Sequence, residues 1–239
     1  MACDVLRVAL VGARLLLVSK RSYRQYCAMA RALDVVGERW TLLVVRELLT
    51  GPKRFKDLLV GLPGIGTNLL AGRLKELEAE GLARRTTLPP PAGSAVYELT
   101  ERGRELEPVL TGLARWGVEL LGGEPRPGEA FRPVWAVQAM KATMGPEAAR
   151  WVSETYEFRV GEDVFHVRVD GGVSEPEYGP AFEPDLSLET DPDTFLSLVS
   201  GRIEAADAIE AGKLGVRGDP ETLARVNDIF GLSTGLPPA

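Results

Sequence analysis

The residues best suited to chemistry in this chain are a set of cations and short polar side chains in its first half. Arg54 and Lys56 precede a small apolar segment. Thr67 and Asn68 open the next segment, and Arg73 and Lys75 lie further along it, off a stripe of leucines. Arg84 and Arg85 begin a short extended run. Guanidinium and ammonium groups neutralise phosphates, and hydroxyl and amide side chains bond base edges, so this pattern points to nucleic acid. Taken singly, each of these charges could equally be a solvated residue on an amphipathic helix. Other chemistries find little support. The only histidine is His166 and the cysteines are Cys3 and Cys27. A zinc site of the usual Cys/His kind cannot be built from these. A Ser-His-Asp triad would have to use His166, which alternation places on the face opposite Phe165 and Val167, a surface position. There is no P-loop and no Gly-rich dinucleotide turn. The reading is of a protein that is not an enzyme and needs no cofactor or metal.

Charge supports two jobs in one chain. The net charge is −6 over 239 residues. Residues 1–122 hold 18 Lys and Arg against 13 Asp and Glu (+5), and residues 123–239 hold 10 against 21 (−11). A basic half joined to an acidic half suits phosphate contact by the first. Residues Gly122 to Gly128, GGEPRPG, are dense in helix breakers and read as a linker. The organisation expected is an extension over 1–17, a first domain over 18–121, a linker over 122–129, a second domain over 130–232 and a tail over 233–239. The apolar run Val5 to Val18 is split by Arg7 and Arg14 and is too short to span a bilayer. It makes a poor signal peptide, and reads as a non-native start or an N-terminal helix. Two cysteines form no disulfide framework, and the expected location is the cytoplasm.

The elements that must position these groups follow from periodicity. Ala28, Ala32, Leu33 and Val36 share a helical face that Gly37 ends. Trp40, Leu43, Val44 and Leu48 form a second stripe, closed by Gly51-Pro52. Phe55, Leu58 and Leu59 give a short third helix. Leu69, Leu70, Leu74 and Leu77 give a fourth. Leu82–Leu88 and Ala95–Leu99 pair as a hairpin around the loop at Pro89–Gly93. One long helix should run from an N-cap at Thr100 to Leu121. Helix, helix, hairpin, helix is the order of a winged helix, with the fourth helix in the major groove. In the second half an apolar helix occupies Pro133–Met144. Tyr156–Val160 and Val164–Val169 alternate as a hairpin that turns Phe158, Val160, Phe165, Val167 and Val169 inward. Leu186–Leu188 and Lys213–Arg217 read as strands and Ala205–Ala211 as a helix. Asp191-Pro192 and Asp219-Pro220 open two more helices. The fold class is a mainly α winged helix-turn-helix domain followed by an α+β domain.

Two resemblances sharpen this. Tyr26–Leu43 (YCAMARALDVVGERWTLL), Arg46–Leu58 (RELLTGPKRFKDL), Pro63–Leu70 (PGIGTNLL), Arg73–Glu78 (RLKELE) and Val96–Gly103 (VYELTERG) occur together in order. Over about residues 18–121 the chain resembles HxlR-type winged-helix regulators. The resemblance implies a homodimer, built mainly from the first and last helices of the domain, on a double-stranded DNA operator of two-fold character. Gly66 departs from the usual hydroxyl residue beside the recognition helix, and Gly72 sits mid-helix. Cys27 stands where some members carry a thiol sensor; Arg24 and Arg31 would favour its thiolate. The other reading of Cys27 is a buried small side chain at a helix start. Glu157–Asp163 (EFRVGED), Pro184–Leu186, Thr190–Phe195 (TDPDTF), Leu198–Gly201, Ala208–Leu214 (AIEAGKL) and Val216–Pro220 (VRGDP) resemble sterol-carrier-protein domains of the type-two class, over about 130–232. That resemblance implies five strands and helices around an apolar tunnel, lined by Phe158, Phe165, Val167, Leu186, Leu188, Phe195, Leu198, Leu214, Val216 and Phe230. The same residues would equally make a closed core. The expectation is a dimeric repressor whose operator binding responds to an acyl or sterol-like molecule, the domains touching near Trp116 and Leu120. The alternatives are a regulator whose second domain is a structural or interaction module, and a lipid-transfer protein.

Overall fold

The computed structural model describes residues 22–91, 93–121, 125–144 and 147–230. The extension over 1–17, the tail over 233–239 and linker residues 122–124 lie outside them. Buried residues fall into two apolar cores, one drawn from Val36 to Leu110 and one from Ala136 to Phe230.

The first core is built by α1 (Ala28–Val36), α2 (Thr41–Leu49), α3 (Phe55–Gly61), α4 (Thr67–Ala79), the hairpin β1 (Ala83–Thr87) and β2 (Ala95–Leu99), α5 (Glu101–Arg104) and α6 (Glu107–Gly117). Val44, Leu48, Leu58, Leu70, Leu74 and Leu77 are each at most 1% exposed, as expected of the inward faces of amphipathic helices. β1 pairs antiparallel with β2, Ala83 opposite Leu99. Lys53 adds a bridge to Tyr97 on the other side of β2.

Three expectations need correction here. The helix from Thr100 is not continuous. It is capped as expected, Thr100 Oγ1 accepting from Gly103 N at 3.1 Å, but it breaks between α5 and α6. Pro108, at the start of α6, has no N–H to continue the ladder from α5. Secondly, Ala28, Ala32 and Leu33 do not pack inward. They are exposed, while Ala30 and Val36 are buried. Thirdly, Leu43 and Leu69 are about two-fifths exposed.

The second core lies under one five-stranded sheet in the order β5-β4-β3-β6-β7. The elements are α7 (Pro133–Thr143), β3 (Ser153–Val160), β4 (Asp163–Asp170), β5 (Val173–Tyr178), β6 (Leu186–Thr190), α8 (Pro192–Val199), α9 (Ala205–Glu210), β7 (Leu214–Gly218) and α10 (Pro220–Phe230). Phe158 faces Phe165 across the β3–β4 hairpin, whose tight turn uses Gly161 at φ 60°. The five residues expected inward from this hairpin are all buried. Strand β5 has no clear alternation and contains Pro176. An edge position tolerates that residue, and β5 is an edge strand.

β6 runs parallel to β3, so the chain must cross the sheet between β5 and β6. Residues 179–185 make that crossing over the outer face. Gly179 N donates to Val164 O at 2.8 Å, and Ala181 N donates to Glu157 at 2.9 Å. The strap half-buries His166, whose Nδ1 lies 3.0 Å from Gly179 O. It also buries Glu157 to 3% exposure. Burial opposes ionisation of Glu157, but the Ala181 amide, Arg159 and the Ser187 hydroxyl outweigh it and hold the carboxyl below the usual range.

Candidate nucleic-acid interface and domain junction

α4 turns Leu70, Leu74 and Leu77 into the core and leaves Thr67, Asn68, Leu69 and Lys75 at the surface. The α4 N-terminus is capped by Gly66 in an extended conformation with no side-chain bond, so its first amides are open to an acceptor. Lys56 is exposed on α3. Arg54, half-buried, sits at the α3 N-cap, its backbone N donating to the Asp57 carboxylate at 3.2 Å. Arg84 and Arg85 are exposed on the wing, with Arg84 held to Glu98 across the hairpin at 2.7 Å. The structure thus gathers the predicted cations and polar groups onto α3, α4 and the wing.

Arg73 is the exception. Its side chain is 13% exposed and engaged within the domain, bonding Glu76 at 2.5 Å, Glu38 at 3.2 Å and the Arg39 carbonyl at 3.1 Å. It ties α4 to the corner between α1 and α2, where Trp40 adopts a left-handed φ of 78°. Nothing in residue type or spacing distinguishes Arg73 from Lys75; besides Glu76, its partners lie 34 and 35 residues away. Cys27 is exposed at the α1 N-cap and makes no cap bond, so it is not the buried small side chain of the alternative reading.

The two cores meet at a polar latch the sequence did not reveal. Glu47, on α2, is 4% exposed. Arg46 Nη2 donates to Glu47 Oε1 at 2.8 Å, and Trp135 Nε1, on α7, donates to the same oxygen at 2.8 Å. Arg132 lies 3.6 Å from Oε2. Arg46 also stacks on the Trp135 ring, 4.4 Å from its centroid, and burial lowers its pKa despite Glu47. Alongside, Lys141 of α7 pairs with Glu107 of α6 at 2.5 Å. Lys53 sits 4.9 Å over the Tyr178 ring. The contact expected across the last helix of the first domain is made: α7 packs against α6 and reaches α2 through Trp135. Trp116 and Leu120 themselves stay 68% and 61% exposed.

Residues 35–124 match the family described as HxlR-like helix-turn-helix, and residues 136–231 match the SCP-2 sterol transfer family. An uncharacterized HTH-type transcriptional regulator of Bacillus subtilis, YvaP, is 37% identical over 89 residues, 37% of this chain and 82% of that protein. The chain belongs to the HxlR-like helix-turn-helix family of transcriptional regulators. The HTH-type transcriptional regulator YodB of the same organism is 39% identical over 88 residues, 37% of this chain and 79% of that protein. The reduced form of YodB as a solved structure shares 34% identity, covering 42% of this chain and 99% of that one, with a TM-score of 0.36. What sets this HxlR-type regulator's architecture is the SCP-2 domain appended to its DNA-binding domain. Among the described residues no helix is long and apolar enough to cross a membrane.

The ten residues expected to line an apolar tunnel in the SCP-2 domain belong to one interior, nine buried and Val216 half-buried. Phe158 and Phe165 stack at 5.1 Å between centroids, and Phe195 meets both edge-on at 6.2 and 6.1 Å.

Proposed function

We propose that this regulator is a homodimeric repressor of the cytoplasm. It binds a two-fold DNA operator through Thr67, Asn68, Lys75, Arg54, Lys56, Arg84 and Arg85, and an apolar molecule in the second domain modulates that binding. The observation that carries the reading is the double duty of α7. Its Trp135 is bonded to Glu47 on α2, while its Ala136 and Met140 belong to the core under the sheet. α2 in turn packs against the recognition helix α4. A molecule that displaces α7 from inside the second domain therefore acts on the element supporting α4, giving the differential affinity that a population shift requires.

The dimer is supported by exposed apolar residues where the fold offers them no cover. Met29 and Leu33 on α1, and Val109, Leu113, Trp116 and Leu120 along and beyond α6, are 40–68% exposed. The α6 residues recur at helical spacing along one face, the signature of a surface that a partner covers. A second copy is that partner.

Titration of operator DNA with fatty acids, acyl thioesters and sterols tests the ligand reading. Operator affinity should change in the parent and not in Phe195→Trp or Leu198→Trp, which fill the interior. The mutual packing of Phe158, Phe165 and Phe195 favours a second reading, in which the domain is a structural module with a closed core. Absence of binding across all three ligand classes would establish it.

A further inference from the structure

We propose that the interior of the second domain opens at its junction with the DNA-binding domain, and that Phe165 is the gate. This rests on the ligand reading above and names the route by which a ligand enters. At the junction lies a small cleft, partly open to solvent, of about 30 Å³. It is lined from the DNA-binding domain by Leu49 and Thr50, from α7 by Val134, and from the sheet by Phe165, Pro176 and Tyr178. Phe165 borders this cleft, and in the core it also stacks on Phe158 and meets Phe195 edge-on. The partition between the junction and the apolar interior is therefore one aromatic side chain thick.

This partition lies beside an edge of the sheet. Tyr178 and Pro176 belong to an edge strand, and Pro176 brings no N–H to the ladder. Phe165 can swing out of the core only if Val134 and Tyr178 part from Leu49 and Thr50. Those positions are clamped by the junction's own contacts: Lys53 over Tyr178, Trp135 on Glu47 and Lys141 on Glu107. Entry of an acyl chain and undocking of the two domains are then the same event. Loading slows when DNA holds the docked form.

The test is stopped-flow uptake of a long-chain fatty acid carrying an environment-sensitive fluorophore, by the full chain. Thr50 lines the cleft from the DNA-binding domain with a half-buried side chain. Thr50→Trp adds an aromatic over the mouth and should slow uptake about tenfold at unchanged final occupancy. Tyr178→Ala removes a wall and the Lys53 contact, and should speed uptake by a similar factor. Saturating operator DNA should slow the parent and have less effect on Tyr178→Ala. Unchanged rates in both variants would place the mouth elsewhere and overturn the proposal. A parent that takes up no probe overturns the ligand reading itself, and the gate with it.

Discussion

The indole Nε1 of Trp135 donates a 2.8 Å hydrogen bond to the carboxylate of Glu47, 88 residues earlier in the chain. It joins the second domain to the helix behind the recognition helix. Trp135→Phe keeps the ring and loses the donor. It should cost about 2 kcal/mol, the usual worth of a hydrogen bond to a charged group. Glu47→Ala leaves the largely buried Arg46 without its carboxylate and should cost about 3 kcal/mol. Thermal unfolding measures both. An equal, negligible cost for the two would mean that the junction does not hold the domains.

Salt dependence separates cations that meet phosphate from cations that brace the fold. Alanine at Lys75 or Arg85 should each lower the magnitude of the log K versus log salt slope for operator DNA by ~0.9 per subunit, ~1.8 for the dimer. Arg84→Ala should do less, since Glu98 already pairs it. Arg73→Ala should leave the slope alone and lower the unfolding midpoint, because its guanidinium is engaged by Glu38, Glu76 and the Arg39 carbonyl. Thr67→Ala and Asn68→Ala should change sequence preference, read by comparing operator variants.

Two helical glycines should respond oppositely to alanine. A Cβ at Gly72 meets nothing within 4 Å, so Gly72→Ala should stabilise the domain by about 1 kcal/mol. A Cβ at Gly103 would fall 2.0 Å from the Leu82 carbonyl oxygen. Gly103→Ala must therefore push α5 off the wing, and denaturant titration should show a marked loss of stability.

The cap of α8 makes a pH-dependent contribution. The Thr194 hydroxyl, then the Thr194 and Asp193 amides, hold the Asp191 carboxyl below the usual carboxylate range. A depressed folded value means the contribution is complete above the ordinary carboxylate pKa of about 4, and is lost as pH falls through the folded value. Asp191→Ala should cost about 1 kcal/mol at neutral pH. The gap between parent and variant, followed by thermal unfolding, should close in strong acid. A gap that persists there would show the cap to act without its charge.

Cys27 is open to solvent at the start of α1, beside the face assigned to the second copy. If it senses electrophiles, a quinone or peroxide should release operator DNA from the parent and not from Cys27→Ser. Equal release by both would assign Cys27 no sensing role.

Much of this protein is written locally. The helix stripes, the Thr100 and Asp191 caps, the β3–β4 alternation and the shift from a basic to an acidic half are all legible, because each depends on residues within a turn or a pleat of one another. Pro108 was an equally local signal for the break before α6, and periodicity alone overrode it. Strand β5 was less legible: an edge strand with one face in solvent needs neither alternation nor a full set of N–H donors. What tertiary structure alone decided is which polar groups are consumed internally. Arg73 and Lys75 look alike in sequence, yet Arg73 is bound by residues more than thirty positions away. Glu47 is one acid among many until α7 folds against α2 and supplies an indole donor. The ten apolar residues of the second domain could be chosen from their spacing. Their convergence on one interior, with Phe165 facing both that interior and the junction, is set by the packing of the sheet, α7 and the DNA-binding domain, and no local pattern records it.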